Sequence, residues 1–599
     1  MKYIQFLFVL LTASLCACNK DNVIEDPSAL PPQIILDSDD GVYTVKIGHE
    51  LTIEPEFRNC DDARITWTLD GNLVCTDTRW TATWHDAGEW IVTIAAENGA
   101  GRAEEEIMVE CLALTPPIIS IQLPENGLKV IANTDYTIAP DFMHDDMEDF
   151  KIAWYVDGEL RGDDRTFTFN EAATGIYHIK VIASNIDGET VKEFDISVVK
   201  DKPYSVAFPS VSYFNKSTER YTFAGRPVFL RPLTEYFDHP AYKWNVDGVE
   251  QACVSEMFSF TPSAPGEYAV SVEVSEDSSS SRSITRNVSS GNASLTATVK
   301  VICVDATEDS RMRPATASSS RFSNKVYEYT PAPGQFIGDT DMLGGFTGAE
   351  TSLETANDWA SRRLADHLSV SLGAFGGYII VGFDHSIPAA VAEYDLAIEG
   401  NAYLSTNGGS NEPGIVWVMQ DVNGNGLPDD EWYELKGSEY DNPATLKNYS
   451  VTYFRPEAPE MNVSWVDSEG NSGTVDYRGA FHKQAYYYPA WISEASYTLY
   501  GTCIPSQNTV DPLTGYWNNK AYDWGYADNI GSDNIPGDSY TGEGQSTGFK
   551  FANAVYADGK SIPLKYVDFV KVQVAVQAKS GALGEVSTEV FSLSDFSMQ

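Results

Sequence analysis

Three pentapeptides constrain this chain more than any other feature: WTLDG from Trp67, WYVDG from Trp154 and WNVDG from Trp244. Each is followed by a glycine two residues before an aromatic, at Gly88, Gly175 and Gly266, so the Trp-to-Gly intervals are 21, 21 and 22 residues. A Trp followed by Asp-Gly predicts a buried ring near the end of a central strand and a hairpin turn, since Asp-Gly readily takes the positive φ that a tight turn requires. The Gly-x-aromatic signal opens runs of alternating apolar residues, such as YHIKVIAS from Tyr177, which read as half-buried strands. One small β-sandwich is therefore written three times.

The three units are predicted at 30–112, 116–200 and 204–304, and they resemble PKD-type, immunoglobulin-like modules. Cysteines recur with the repeat. Cys75 lies eight residues after Trp67, Cys253 lies nine after Trp244, and Cys111 and Cys303 end their modules. Cys75–Cys111 and Cys253–Cys303 are candidate disulfides, with buried free thiols acting as small hydrophobes as the alternative. No C-x-x-C pair occurs and the histidines are scattered, which argues against zinc. Residues 305–323 read as a linker. From 324 to 599 the repeat spacing is gone, and a larger domain of antiparallel strands with little helix is expected, a jelly-roll-like β-sandwich. The chain as a whole is expected to be all-β.

Before the repeats, residues 1–18 read MKYIQFLFVLLTASLCAC, a basic start, a short apolar run and small residues ahead of cysteine. That is a signal peptide too short to span a bilayer. Leu15-Cys16-Ala17-Cys18 fits the bacterial lipobox, with Cys18 as the acylated residue. The NKDN and IED that follow resemble the signal that sends lipoproteins of Bacteroidetes to the outer face of the outer membrane. The expected location is thus the cell exterior, with the lipid anchor as the only membrane attachment. Acidic residues outnumber basic ones 86 to 40, and a net charge of −46 excludes nucleic acid as a partner.

The most chemically pointed stretch is DVNGNGLPDDEWYEL, from Asp421. Asp421, Asn423, Asn425, Leu427 (through its carbonyl) and Asp429 fall at positions 1, 3, 5, 7 and 9 of an EF-hand-type loop, with Gly426 at the sharp turn. Alternate oxygens converging on one hard cation would hold calcium in a structural role. Trp432 replaces the usual bidentate Glu at position 12, and Asp430, Glu431 and Glu434 are candidates to complete the shell. The alternative is an Asn-Gly hairpin turn without an ion.

Two aromatic stretches lie further on, YYYPAW (Tyr486–Trp491) and YWNNKAYDWGYADN (Tyr516–Asn529). Rings interleaved with amides and carboxylates can form a ligand platform, which selects Tyr486, Tyr488, Trp491, Trp517, Tyr522, Trp524, Tyr526 and Asn529. No catalytic motif is present and no catalytic cofactor is expected. Glu585 and Glu589, four apart, are the one acid pair that suggests glycoside chemistry. The loop at 421, YYYPAW, WGYADN and DFVKVQVAVQAKSGALGEVSTEV together resemble the corrinoid-associated surface lipoproteins of gut Bacteroidetes over residues 324–599. That resemblance implies a vitamin B12-type ligand, delivery to a TonB-dependent transporter with its associated lipoproteins, and the modules as spacers. A glycan-binding or adhesion protein using the same rings is the alternative, and a glycoside-active enzyme the third.

Overall fold

The computed structural model describes residues 30–124, 127–276, 294–341, 344–405, 408–537 and 545–598. The chain is 46% strand and 5% helix, which places it in the all-β class. The leader and Cys18 lie outside the described residues. Among the described residues no helix is long and apolar enough to cross a membrane.

The repeats fold alike. In the first, a five-stranded sheet runs Val42–Lys46, Gly101–Leu112, Gly88–Asn98, Arg64–Leu69 and Asn72–Cys75, beside two-stranded sheets such as Glu50–Ile53 with Trp80–Thr83. The second repeat reproduces this order with Leu128–Ile131, Gly188–Val199, Gly175–Asn185, Lys151–Val156 and Glu159–Gly162. The third does so with Arg220–Thr222, Ser294–Cys303, Gly266–Glu276, Pro240–Val246 and Val249–Glu250. In each, the first strand pairs parallel with the last. Trp67, Trp154 and Trp244 are fully buried. Their indole N–H groups donate to the carbonyls of Asp77, Asp164 and Ser255 at 2.8, 2.9 and 2.9 Å, so each ring fills a core without stranding its polar atom. The Asp-Gly turns are of the primed type, as at Asp157 and Gly158 with φ of 49° and 83°.

The cysteine pairs do not form. All six described cysteines are free thiols. Cys75 ends one edge strand of its sheet, while Cys111 lies three strands away on the strand beside the opposite edge. At about 4.8 Å per strand they are separated by roughly 14 Å, twice what a disulfide can bridge. Cys253 follows the edge strand Val249–Glu250 and is separated from Cys303 by the same sheet order. Cys111 and Cys303 are buried as small hydrophobes.

The chain divides into two compact units. The first is Met1–Pro117 with His144–Phe150 and Ser184–Thr190. Within it, the buried Asp187 pairs with Lys46 and accepts from the backbone N–H and hydroxyl of Thr115 at 3.0 and 2.7 Å. The second unit holds the rest of the second repeat, the third repeat and everything to Gln599.

In the second unit the terminal residues form a six-stranded antiparallel sheet, ordered Lys325–Thr330, Tyr378–Pro388, Tyr566–Val574, Gly414–Met419, Tyr433–Leu435 and Ala554–Val555. Two four-stranded sheets share its core, one built on Leu396–Gly400 and the other on Leu446–Phe454. The helix Leu353–Ala365 starts at Ser352, whose hydroxyl accepts from Thr355 N–H, and buries Trp359 in that core. The third repeat is docked on this domain. Tyr213 and Phe214 pack against its core, Phe214 N–H donates to Glu328 at 3.2 Å, and Arg226 meets Gln420 at 2.7 Å and Glu308 at 3.2 Å. Residues 305–323, read as a linker, run along the same surface: Arg313 pairs with the buried Asp568 at 3.0 Å and its N–H donates to Ser386.

Candidate functional site

Glu434, Trp417 and Lys571 are cross-strand neighbours on three adjacent strands of the six-stranded sheet. Strict alternation puts their side chains on one face, where Val416 and Val418 take the other face into the core. A cavity of about 780 Å³ opens over that face, closed on its other side by the third repeat through Phe229, Arg231 and Glu256. This is the size range of pockets that enclose a small organic ligand.

The walls are aromatic and the polar groups converge. The Lys571 ammonium lies 4.7 Å from the centre of the Trp417 ring and 5.0 Å from that of Trp432. Enclosure at the cavity wall draws the Lys571 amine down to about 8. Glu434 is buried, and its carboxylate accepts from Thr502 at 2.7 Å and pairs with Lys447 at 3.4 Å. Burial pushes Glu434 above the usual carboxylate range. Lys447 in turn sits 3.2 Å from the centre of the Tyr440 ring. Trp417 and Trp432 both have buried indole N–H groups with no acceptor among the described residues. A cation beside two aromatic rings at the wall of a cavity is an arrangement that suits a ligand with acceptor oxygens.

The 421–430 loop is the hairpin connection between the Trp417 and Glu434 strands. Asp421 is buried and gathers the turn: its oxygens accept from the N–H groups of Gly424, Asn425 and Gly426 at 2.8, 3.0 and 2.9 Å. The side-chain amides of Asn423 and Asn425 donate to Asp429 at 2.9 and 2.8 Å, and the Leu427 carbonyl accepts from Asp429 N–H. Asp430 is buried, keeps one oxygen without a partner, and is pushed up to about 8 by burial and by the charge of Asp429. All five residues selected as calcium ligands are thus in one turn.

The aromatic platform is not assembled as expected. Tyr488, Trp491, Tyr522, Tyr526 and Asn529 are core residues. Trp491 donates to the Tyr329 carbonyl at 3.0 Å, and Tyr522 and Tyr526 pack edge-to-face at 5.4 Å in a cluster with Ile415 and Val586. The amide of Asn529 is spent on the Tyr522 backbone. The loop lacks β-branched residues because it is an irregular segment folded inward, with its tyrosine hydroxyls satisfied by backbone, as Tyr526 is by Glu439 N–H. Tyr486 and Trp517 are exposed, and Trp524 half-buried. Glu585 and Glu589 are both buried, Glu585 accepting from Gln335 N–H at 2.7 Å. Neither faces the cavity.

The cavity residues had a signal in the sequence that the aromatic runs obscured. Lys571 sits inside YVDFVKVQVAV and Glu434 inside WYEL. A charge in the middle of an otherwise apolar strand must face a solvent-reachable wall or a partner.

Residues 31–98 and 116–185 match the family described as PKD-like domain. Those are the first two repeats. The comparison with curated proteins returns no match. Among solved structures, the chain is similar to the I-band fragment I67–I69 of titin at 15% identity, over 46% of this chain and 99% of that one, with a TM-score of 0.21. Three N-terminal domains of the outer capsid protein Hoc of bacteriophage RB49 align at 13% identity over 46% and 100%, again with a TM-score of 0.21. The fibronectin(III)-like modules of Clostridium thermocellum CbhA align at 20% identity over 28% and 95%, with a TM-score of 0.16. Tandem PKD-like modules therefore make up the N-terminal part of the chain.

Proposed function

We propose that this is an outer-membrane surface lipoprotein, anchored at Cys18, that binds a small polar organic ligand between its third module and its terminal domain, without turnover. The observation that carries the reading is Lys571, set beside the Trp417 and Trp432 rings at the wall of the 780 Å³ cavity. The resemblance of residues 324–599 makes a corrinoid the first ligand to test. A cavity of this size takes one edge of such a molecule, with aromatic walls against its ring and Gln573 and Asn448 at its amide fringe. Delivery to a TonB-dependent transporter follows from the same resemblance. Calcium in the 421–430 loop would stiffen the hairpin that carries Trp417 and Glu434. On this reading the third module is part of the site, more than a spacer.

A glycan is the second reading, favoured by the rings of Trp432 and Tyr440 beside the carboxylates of Glu431 and Glu434. The test is calorimetry on residues 19–599 with cyanocobalamin, then with oligosaccharides, each with calcium and after chelation. Saturable cobalamin binding that Trp432→Ala weakens is the expected result. Binding indifferent to Trp432→Ala would overturn the cavity assignment, and binding of oligosaccharide alone would replace the ligand.

A further inference from the structure

Away from the cavity, three carboxylates meet. One side-chain oxygen from each of Glu412, Asp528 and Glu589 lies within 4.8 Å of the other two. They come from three distant parts of the chain, and the backbone holds each in place. Glu412 N–H donates to the Asp528 carbonyl at 3.0 Å, and its own carbonyl accepts from Thr588 Oγ1 at 2.8 Å. Glu589 N–H donates to Asp528 Oδ2 at 3.0 Å, and the N–H groups of Asn401 and Ala402 donate to Oδ1, both at 2.8 Å. Asp528 takes a left-handed φ of 53° to reach this position, and Gly400 leaves room for it, since a Cβ there would stand 2.5 Å from Oδ1. The cluster is built.

What it lacks is a positive partner. Among the described residues no Lys, Arg or His forms an ion pair with any of the three, and Glu585, close enough to raise Glu412 and Glu589 further, is acidic too. Glu589 is 6% exposed and its Oε1 has no hydrogen-bond partner. Glu412 is half-buried. Two oxygens on opposite sides of one calcium ion are about 4.6–5.2 Å apart, so the spacing seen here encloses a single ion of that size.

We propose that Glu412, Asp528 and Glu589 form a divalent-cation site for calcium, independent of the 421–430 loop. Three carboxylates with no nitrogen or sulfur suit a hard cation, which releases the protons that burial and mutual repulsion hold on them, and water completes its shell. The ion locks together the segments at 400, 412, 528 and 589 and so fixes the start of the strand Gly414–Met419 that carries Trp417.

The experiment uses residues 19–599 carrying Asp421→Ala, which disables the loop, stripped with chelator and titrated calorimetrically with calcium chloride. The expected result is one calcium bound, with affinity falling at least tenfold when Glu589→Gln or the more accessible Glu412→Gln is added. Glu589→Gln should abolish the rise in melting temperature that calcium gives the Asp421→Ala chain. Absence of calcium binding to the Asp421→Ala chain would overturn the proposal, as would binding unchanged by both glutamine substitutions. Should Glu589→Gln fail to fold, Glu412→Gln carries the same two readouts.

Discussion

Lys571 and Trp417 are register partners on adjacent strands, and the ammonium of the first lies 4.7 Å from the ring centre of the second. The amine, drawn down to about 8 by its enclosure, is held in the charged form at neutral pH by the ring faces and by Glu434 and Glu328. Its folded-state value is below that of the unfolded chain, so between pH 8 and 10.5 the unfolded chain binds more protons and stability rises with pH. Lys571→Met should remove that contribution. Denaturant unfolding at pH 7 and pH 10 should show the variant gaining on the parent at the lower pH and losing the advantage at the higher. An unchanged difference would refute the assignment of Lys571 to an enclosed wall.

The docking of the third module predicts that the terminal domain is weaker alone. Phe214 packs against the terminal core, and Tyr213 meets Tyr497 edge-to-face at 5.6 Å. Phe214→Ala should cost about 3 kcal/mol, the lower end of the range for aromatic truncation because the ring is half-buried. A chain beginning at residue 324 should melt at lower temperature than one beginning at 204. Equal melting would show the contact to be dispensable.

The threefold fold was legible because a local pattern, Trp with Asp-Gly and a later Gly-x-aromatic, recurs with fixed spacing, and each copy needs only near-neighbour strands to close. The 421–430 turn was legible for the same reason: Asp421 organises residues within five positions of itself. The cavity was not, because Trp417, Glu434 and Lys571 are brought together by strand order, and Phe229 and Arg231 by docking of another module. Composition misled at 516–529. Tyr522 and Tyr526 look amphipathic in sequence, yet backbone groups satisfy their hydroxyls and leave the rings free to be core.

Free thiols make a plain chemical prediction. Cys60, Cys75, Cys111, Cys253, Cys303 and Cys503 should all react with a thiol reagent in denaturant without prior reduction, giving six thiols per chain from residue 19 onward. In the native state Cys111, Cys303 and Cys503 should react slowest, because burial raises all three thiols, Cys503 to about 11, and restricts access. Reductant should leave the melting temperature unchanged. Four thiols in place of six would restore a disulfide.

Asp187 gives the first unit an acid limit. Its carboxyl is held down at about 2, first by the Lys46 ammonium and then by Thr115, against the opposing effect of burial. A carboxylate whose folded value is depressed contributes stability that is present above its ordinary value of 3.8 and lost as pH falls towards 2. Asp187→Asn keeps the shape but removes the charge that Lys46 and Thr115 address, so at pH 7 it should cost about 1.5–3 kcal/mol, the range for hydrogen bonds to a charged group. The difference between parent and variant should shrink steadily below pH 4 and nearly vanish at pH 2. Urea unfolding followed by hydrogen exchange of the strand amides of Gly101–Leu112, read by mass spectrometry, reports this unit. A variant equally destabilised at pH 2 and pH 7 would mean that lost packing, and not the ion pair, sets the effect.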